Sequence, residues 1–311
     1  MVDFEEMTKE QSLVIRNTRV MATIVIVAYH CVCPYLVFDW QGYGGDLQTL
    51  NRVLRFIFRE MLCTTMLPTF FMLSGMLFYS KKNCYADIKY VFWKKFDRLI
   101  IPFVLVFTFC SLIKIPRIGI GISYGHLWFV CNLFLYFCVA LLFYKIREIY
   151  LLLGSIVSFA FFAWRENLGL SCPIVLGDFM QYAIYFWGGH YVAKNFGWMR
   201  THTVFKWSVL LVWIFALFFH YQIIYKLLFN LVLLSFMPLI GENKTIAYLD
   251  KQSFRIYLIH HVLLFALFAF PYFKMLYADD AMMATTMMFC TLMVLTLCVC
   301  WILDKVSFKY F

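Results

Sequence analysis

A histidine inside an apolar run is the residue best placed to do chemistry in this chain. His30 closes the segment RVMATIVIVAYH, which opens on Arg19. In a helix, eleven residues turn about 1100°, returning to within roughly 20° of the start and advancing about 16 Å. Arg19 and His30 therefore share one face, with a permanent cation at the mouth and a titratable base deeper in. An ionisable side chain inside an apolar run is costly and marks a functional position by default. The pair suits an anionic reactant that threads inward past Arg19 toward His30, whose imidazole takes up protons near neutral pH. The same residues admit a plainer reading, with His30 satisfied by a nearby carbonyl and Arg19 serving as a topology signal.

The elements that must position this pair follow from composition. Hydrophobic residues make up 64% of 311 positions and charged ones 14%; the mean hydropathy is +0.79. A soluble domain is about 45–50% apolar and about 25% charged, so a chain this apolar needs lipid as its solvent. We expect an all-α integral membrane protein, a polytopic bundle of about ten transmembrane helices, forming one domain over residues 1–311. The spans fall at roughly 20–38, 60–79, 99–115, 126–145, 149–164, 175–193, 207–223, 226–241, 254–272 and 282–303, each near the length a bilayer requires.

Charge sets the orientation. Lys and Arg gather in every second connection, as in Lys94, Lys95 and Arg98, or Lys244, Lys251 and Arg255. The alternate connections carry Asp39 and Asp46, Glu166 and Asp178, or Asp279 and Asp280. The positive-inside rule then puts both termini in the cytoplasm. Arg52, Arg55 and Arg59 break the pattern; their spacing puts them on one helical face, suited to an interfacial helix or to an anionic substrate. The net charge of +10 is spread over these clusters and forms no stripe for nucleic acid. Most of the eleven Cys residues lie within apolar runs and behave as small apolar side chains. Cys31 and Cys33 lack a second ligand pair, so no metal site is expected.

Five segments, in order, resemble the membrane acyltransferase-3 family: the Arg-x10-His pattern of Arg19 and His30, FFMLSGMLFY (70–79), KKFDRLIIP (94–102), GHLWFV (125–130) and SFRIYLIHH (253–261). The resemblance covers nearly the whole chain. It implies transfer of an acyl group, usually acetyl, from cytoplasmic acetyl-CoA or another acyl-CoA to a hydroxyl of a glycan or glycolipid acceptor. It also implies a bacterial inner membrane, with glycan-assembly proteins as partners. Arg19 and His30 match the family's essential pair, and Lys95 and Arg98 its basic pair linked to donor binding. Lys95 departs from the family's first Arg and gives up bidentate phosphate recognition. Asn17 stands where the family often has Asp.

In that frame His30 either deprotonates the acceptor or carries the acyl group covalently. Ser253, Tyr257 and His260 share a face by their i, i+4, i+7 spacing and either line the donor cavity or hydrogen-bond between helices. His261 points away from that face and is expected to be structural. His126 and Trp128 are candidates for the acceptor side, against a solvated helix end and an interfacial aromatic belt. Ser74-Gly75 is expected to be a close helix-packing point. The rival function is a transporter or exporter of a polar solute, which would use intramembrane ionisable residues as a relay.

Overall fold

The computed structural model describes residues 8–37, 64–80, 87–113, 118–119, 123–124, 127–169, 174–219, 221–241, 243–279 and 281–306. The expected segment with Arg52, Arg55 and Arg59 lies outside them, as does His126. Among the described residues the chain is helical apart from a two-residue antiparallel pair, β1 (Ile118–Gly119) and β2 (Ser123–Tyr124). The helices are α1 (Lys9–Val37), α2 (Thr64–Ser80), α3 (Ile88–Leu112), α4 (Trp128–Leu142), α5 (Glu148–Asn167) and α6 (Ile174–Lys194). They continue with α7 (Phe196–Thr201), α8 (Thr203–Phe218), α9 (Gln222–Phe236), α10 (Lys244–Phe268), α11 (Pro271–Asp279) and α12 (Ala281–Lys305).

Polar residues at the ends start these helices where they do. Thr8 and Gln11 form a reciprocal capping box before α1: each side chain accepts from the other's backbone N–H. Asp87 caps α3 by accepting from Lys89 N at 2.8 Å. Asn243 caps α10 by accepting from the N–H groups of Thr245 and Ile246.

Each apolar run expected to span overlaps one of these helices, yet among the described residues three helices are long and apolar enough to cross a membrane: Lys9–Val32, Glu148–Arg165 and Met283–Lys305. The difference is physical. α4 and α9 have 15 residues each, a rise of about 22 Å against a hydrocarbon core of about 30 Å. α3 and α10 are long, but charged residues occupy their first turns. The outer helices expose what a membrane would cover: only 11% of the apolar window of α5 is buried, and Leu153, Val157 and Trp164 face outward.

The core holds the site in place. α2 and α6 make the most extensive helix pair, and they meet backbone to backbone. A Cβ on Gly75 would overlap the carbonyl oxygen of Phe186, and one on Gly189 would overlap that of Met72. Gly75 is thus a packing point, as small residues at helix crossings are, while Ser74 beside it lines a cavity. Phe71, Phe78, Tyr136 and Phe186 fill the space between α2, α4 and α6. Against this block lean α1 and α10, which pack on each other and on α12; α3 packs on α4 and α10.

Candidate active site

A cavity of about 390 Å³ opens between α1, α2, α3, α4 and α10. Five cations line it (Arg16, Arg19, Lys95, Arg98 and Lys251) against one carboxylate, Asp250. Arg19 Nη1 donates to Asp250 Oδ1 at 2.8 Å, and both side chains are about three-quarters buried. Lys95 Nζ sits 4.0 Å from the centre of the Phe137 ring, a cation–π contact that orients the ammonium. The excess of positive charge in a partly dry space suits phosphate oxygens, which take charge-assisted hydrogen bonds.

The register of α3 divides its charges between two cavities. Lys95 faces the first, while Lys94 and Asp97 face a second cavity of about 500 Å³, with Tyr90, Trp93 and Arg255. Arg98 and Lys251 line both. On the α10 side, Asp304 of α12 anchors the wall: it accepts from Lys251 Nζ at 3.2 Å, from Gln252 Nε2 at 2.7 Å and from Arg255 Nη1.

Asn17 lies two residues before Arg19, on the opposite side of α1. Its amide donates to the carbonyls of Pro238 and Ile240 at 3.1 and 3.2 Å, while Arg16 donates to Gly241 O at 2.8 Å. These bonds tie α1 to the chain leaving α9. A carboxylate could not donate them, which explains an amide at this position.

Inward of the cations, Phe129 and Tyr257 line the cavity with ring centres 5.3 Å apart; Tyr257 is 7% exposed. One turn further along α10, His260 is fully buried. Its Nδ1 lies 2.9 Å from Ile256 O and its Nε2 lies 3.0 Å from His30 Nδ1. The ring of His261 stands edge-on to His30 with centres 4.1 Å apart. The expectation that His261 points elsewhere is corrected here. Adjacent helical positions diverge by about 100°, but the His30 ring enters from α1 between them, so both flank it.

A carbonyl can only accept, so the proton of a neutral His260 sits on Nδ1 and its lone pair on Nε2. His30 Nδ1–H then donates to that lone pair. The ligating atoms of His30, His260 and His261 also lie within 4.8 Å of one another, so these three imidazoles are the group among the described residues that could share a transition metal.

The structure gathers Arg19, Lys95, Arg98 and Tyr257 around one cavity, and joins His30 to His260 beside it. Trp128 instead stacks on Tyr182, ring centres 5.3 Å apart, within the aromatic block of α2, α4 and α6. The sequence profile of the acyltransferase domain matches residues 14–305. The chain belongs to the acyltransferase-3 family. No curated protein and no solved structure matches it. The chain is thus a membrane acyltransferase, its apolar helices forming an integral membrane domain.

Sequence reasoning about this acyltransferase missed Asp250 and Lys251. Asp250 precedes Ser253 by three residues and Tyr257 by seven, so helical spacing from the residues already singled out would have found it. Nothing in the sequence signals that His261 meets His30; that contact depends on how α1 crosses α10.

Proposed function

We propose that this protein is an O-acyltransferase that moves an acyl group, acetyl in the simplest case, from acyl-CoA to a hydroxyl of a cell-envelope or exported glycan. The observation that carries the reading is the juxtaposition of the five-cation cavity with the His30–His260 pair. Tyr257 lines the cavity, its ring centre is 6.1 Å from that of His260, and His260 is bonded to His30. The cations Arg19, Lys95 and Arg98 hold the phosphates of the donor, and the thioester end extends toward Tyr257. Ten spans, cytoplasmic termini and a bacterial inner membrane belong to the same reading; they place the donor cavity on the cytoplasmic side.

His30 acts as the general base. Its Nε2 takes the proton of the acceptor hydroxyl, and the oxygen attacks the thioester carbonyl. The C–O bond forms, the C–S bond breaks, and the departing thiolate takes the proton back from Nε2. A positioned imidazole contributes about 10²–10⁴-fold to such a step. The covalent variant uses the same nitrogen as nucleophile and transfers the acyl group in a second step.

The test is release of free coenzyme A from acetyl-CoA by purified protein in nanodiscs, with and without a glycan acceptor. Wild type is expected to release it and His30→Ala to release none while still binding coenzyme A. Transfer retained in His30→Ala would sink the assignment.

A further inference from the structure

His260 falls on the helical face that carries Ser253 and Tyr257, which would make it part of the donor wall. Its surroundings give it a different task. Ser253 and Tyr257 line the cavity, whereas His260 is 0% exposed and its two ring nitrogens face Ile256 O and His30 Nδ1. We propose that His260 is a positioning residue that holds the lone pair of His30 on Nε2, the atom that takes the acceptor's proton. The inference rests on the reading of His30 as base.

Two hydrogen bonds in series, with one fixed end, set the tautomer of His30. Ile256 O accepts, so His260 donates from Nδ1 and offers a lone pair at Nε2. Only the His30 tautomer protonated at Nδ1 satisfies that lone pair. The other tautomer sets two lone pairs against each other at 3.0 Å, a costly arrangement in a low-dielectric interior. His261, edge-on to His30 with ring centres 4.1 Å apart, restricts rotation of the same ring. His260 contributes most when His30 is protonated during the reaction. The Nδ1–H of the imidazolium still donates to His260, and the bond becomes charge-assisted, roughly twice as strong as a neutral one. An interaction that strengthens as the transition state forms raises kcat and leaves donor affinity alone. No proton passes through His260; it goes to His30 Nε2 and returns to the thiolate.

The experiment compares His260→Leu, which removes the acceptor, with His260→Gln, which keeps an oxygen able to accept from His30. Acetyl transfer kinetics are measured in nanodiscs beside coenzyme A binding. His260→Leu is expected to lower kcat on the order of tenfold or more, with the KM for acetyl-CoA unchanged. His260→Gln is expected to recover a large part of that loss. A raised KM with kcat unchanged overturns the inference, because His260 would then belong to the donor wall. Neutral behaviour of both variants, equal loss in both, or loss of coenzyme A binding in both also overturns it. Loss of wild-type transfer on dialysis against a chelator does so as well, since His260 Nε2 would then serve a metal. If instead His30→Ala retains transfer, the base assignment itself fails, whatever the His260 variants do.

Discussion

Arg19 on α1 and Asp250 on α10 form a 2.8 Å ion pair in the wall of the basic cavity. The pair fixes the guanidinium while leaving Arg19 part of the cavity lining. Removing one partner strands the other in a mostly buried place. Asp250→Ala is therefore expected to lose about 1–3 kcal/mol of stability, and Arg19→Ala to weaken coenzyme A binding as well. In denaturation of the two single variants and the double, the double should lose less than the sum. Additive losses would mean that the pair is not coupled.

Lys95 and Arg98 should act on the donor and not on the acceptor. Replacing either with Ala is expected to raise the KM for acyl-CoA about tenfold, equivalent to about 1.4 kcal/mol, with little change in kcat. The effect should shrink as ionic strength rises, because both sites are open to solvent on one side. Lys95→Arg restores the planar fork that Lys lacks and is expected to bind coenzyme A at least as tightly as wild type. Calorimetric titration of coenzyme A into each variant measures this; an unchanged Kd in both Ala variants would remove these residues from the donor site.

Gly75 and Gly154 offer a matched test of packing. Gly75→Ala forces a methyl group into the carbonyl of Phe186, where only a backbone shift can relieve the clash. Gly154→Ala meets nothing within 4 Å. Thermal unfolding in detergent is expected to show a large drop, or no folded protein, for the first and no loss for the second, since Ala favours a helix over Gly. Equal midpoints for both would contradict the close crossing of α2 and α6.

Asn17→Asp restores the residue that the family often carries, and here it is expected to destabilise the protein. Asn17 is 4% exposed and donates to two carbonyls; a carboxylate there would face two acceptors with nothing to give. A lowered unfolding midpoint for Asn17→Asp, alongside a near-normal one for Asn17→Gln, is the expected pair of results. A midpoint for Asn17→Asp at or above wild type would show that those bonds do not hold α1.

The helical, membrane-embedded class was legible because composition alone excludes a water-facing surface of this size. The shared face of Arg19 and His30 was legible from helical spacing, whereas Lys95 and Arg98 were legible only through the resemblance to the acyltransferase-3 family. His261 was not, since its contact arises between helices, where the entry of one ring between two neighbours leaves no periodic trace. Spacing likewise put His260 on the cavity side, but its burial one turn beyond Tyr257 depends on where Phe129 and Tyr257 meet. Length was the least legible feature: the apolar run around α4 reads as a span of bilayer length, while the helix within it stops at 15 residues.

The glycine crossing of α2 and α6 has a mechanical consequence. Two backbones in contact, with no side chain between them, cannot slide past each other, so these helices behave as a fixed plate. Any breathing that admits a donor would then fall to α1, α3 and α10, where the polar links between α1 and α10, the Arg19–Asp250 ion pair and the His30–His260 hydrogen bond, can break and reform. The protein is thus divided into an anvil, built from glycine and aromatic rings, and a jaw that carries the cations, His30 and the imidazole that positions it.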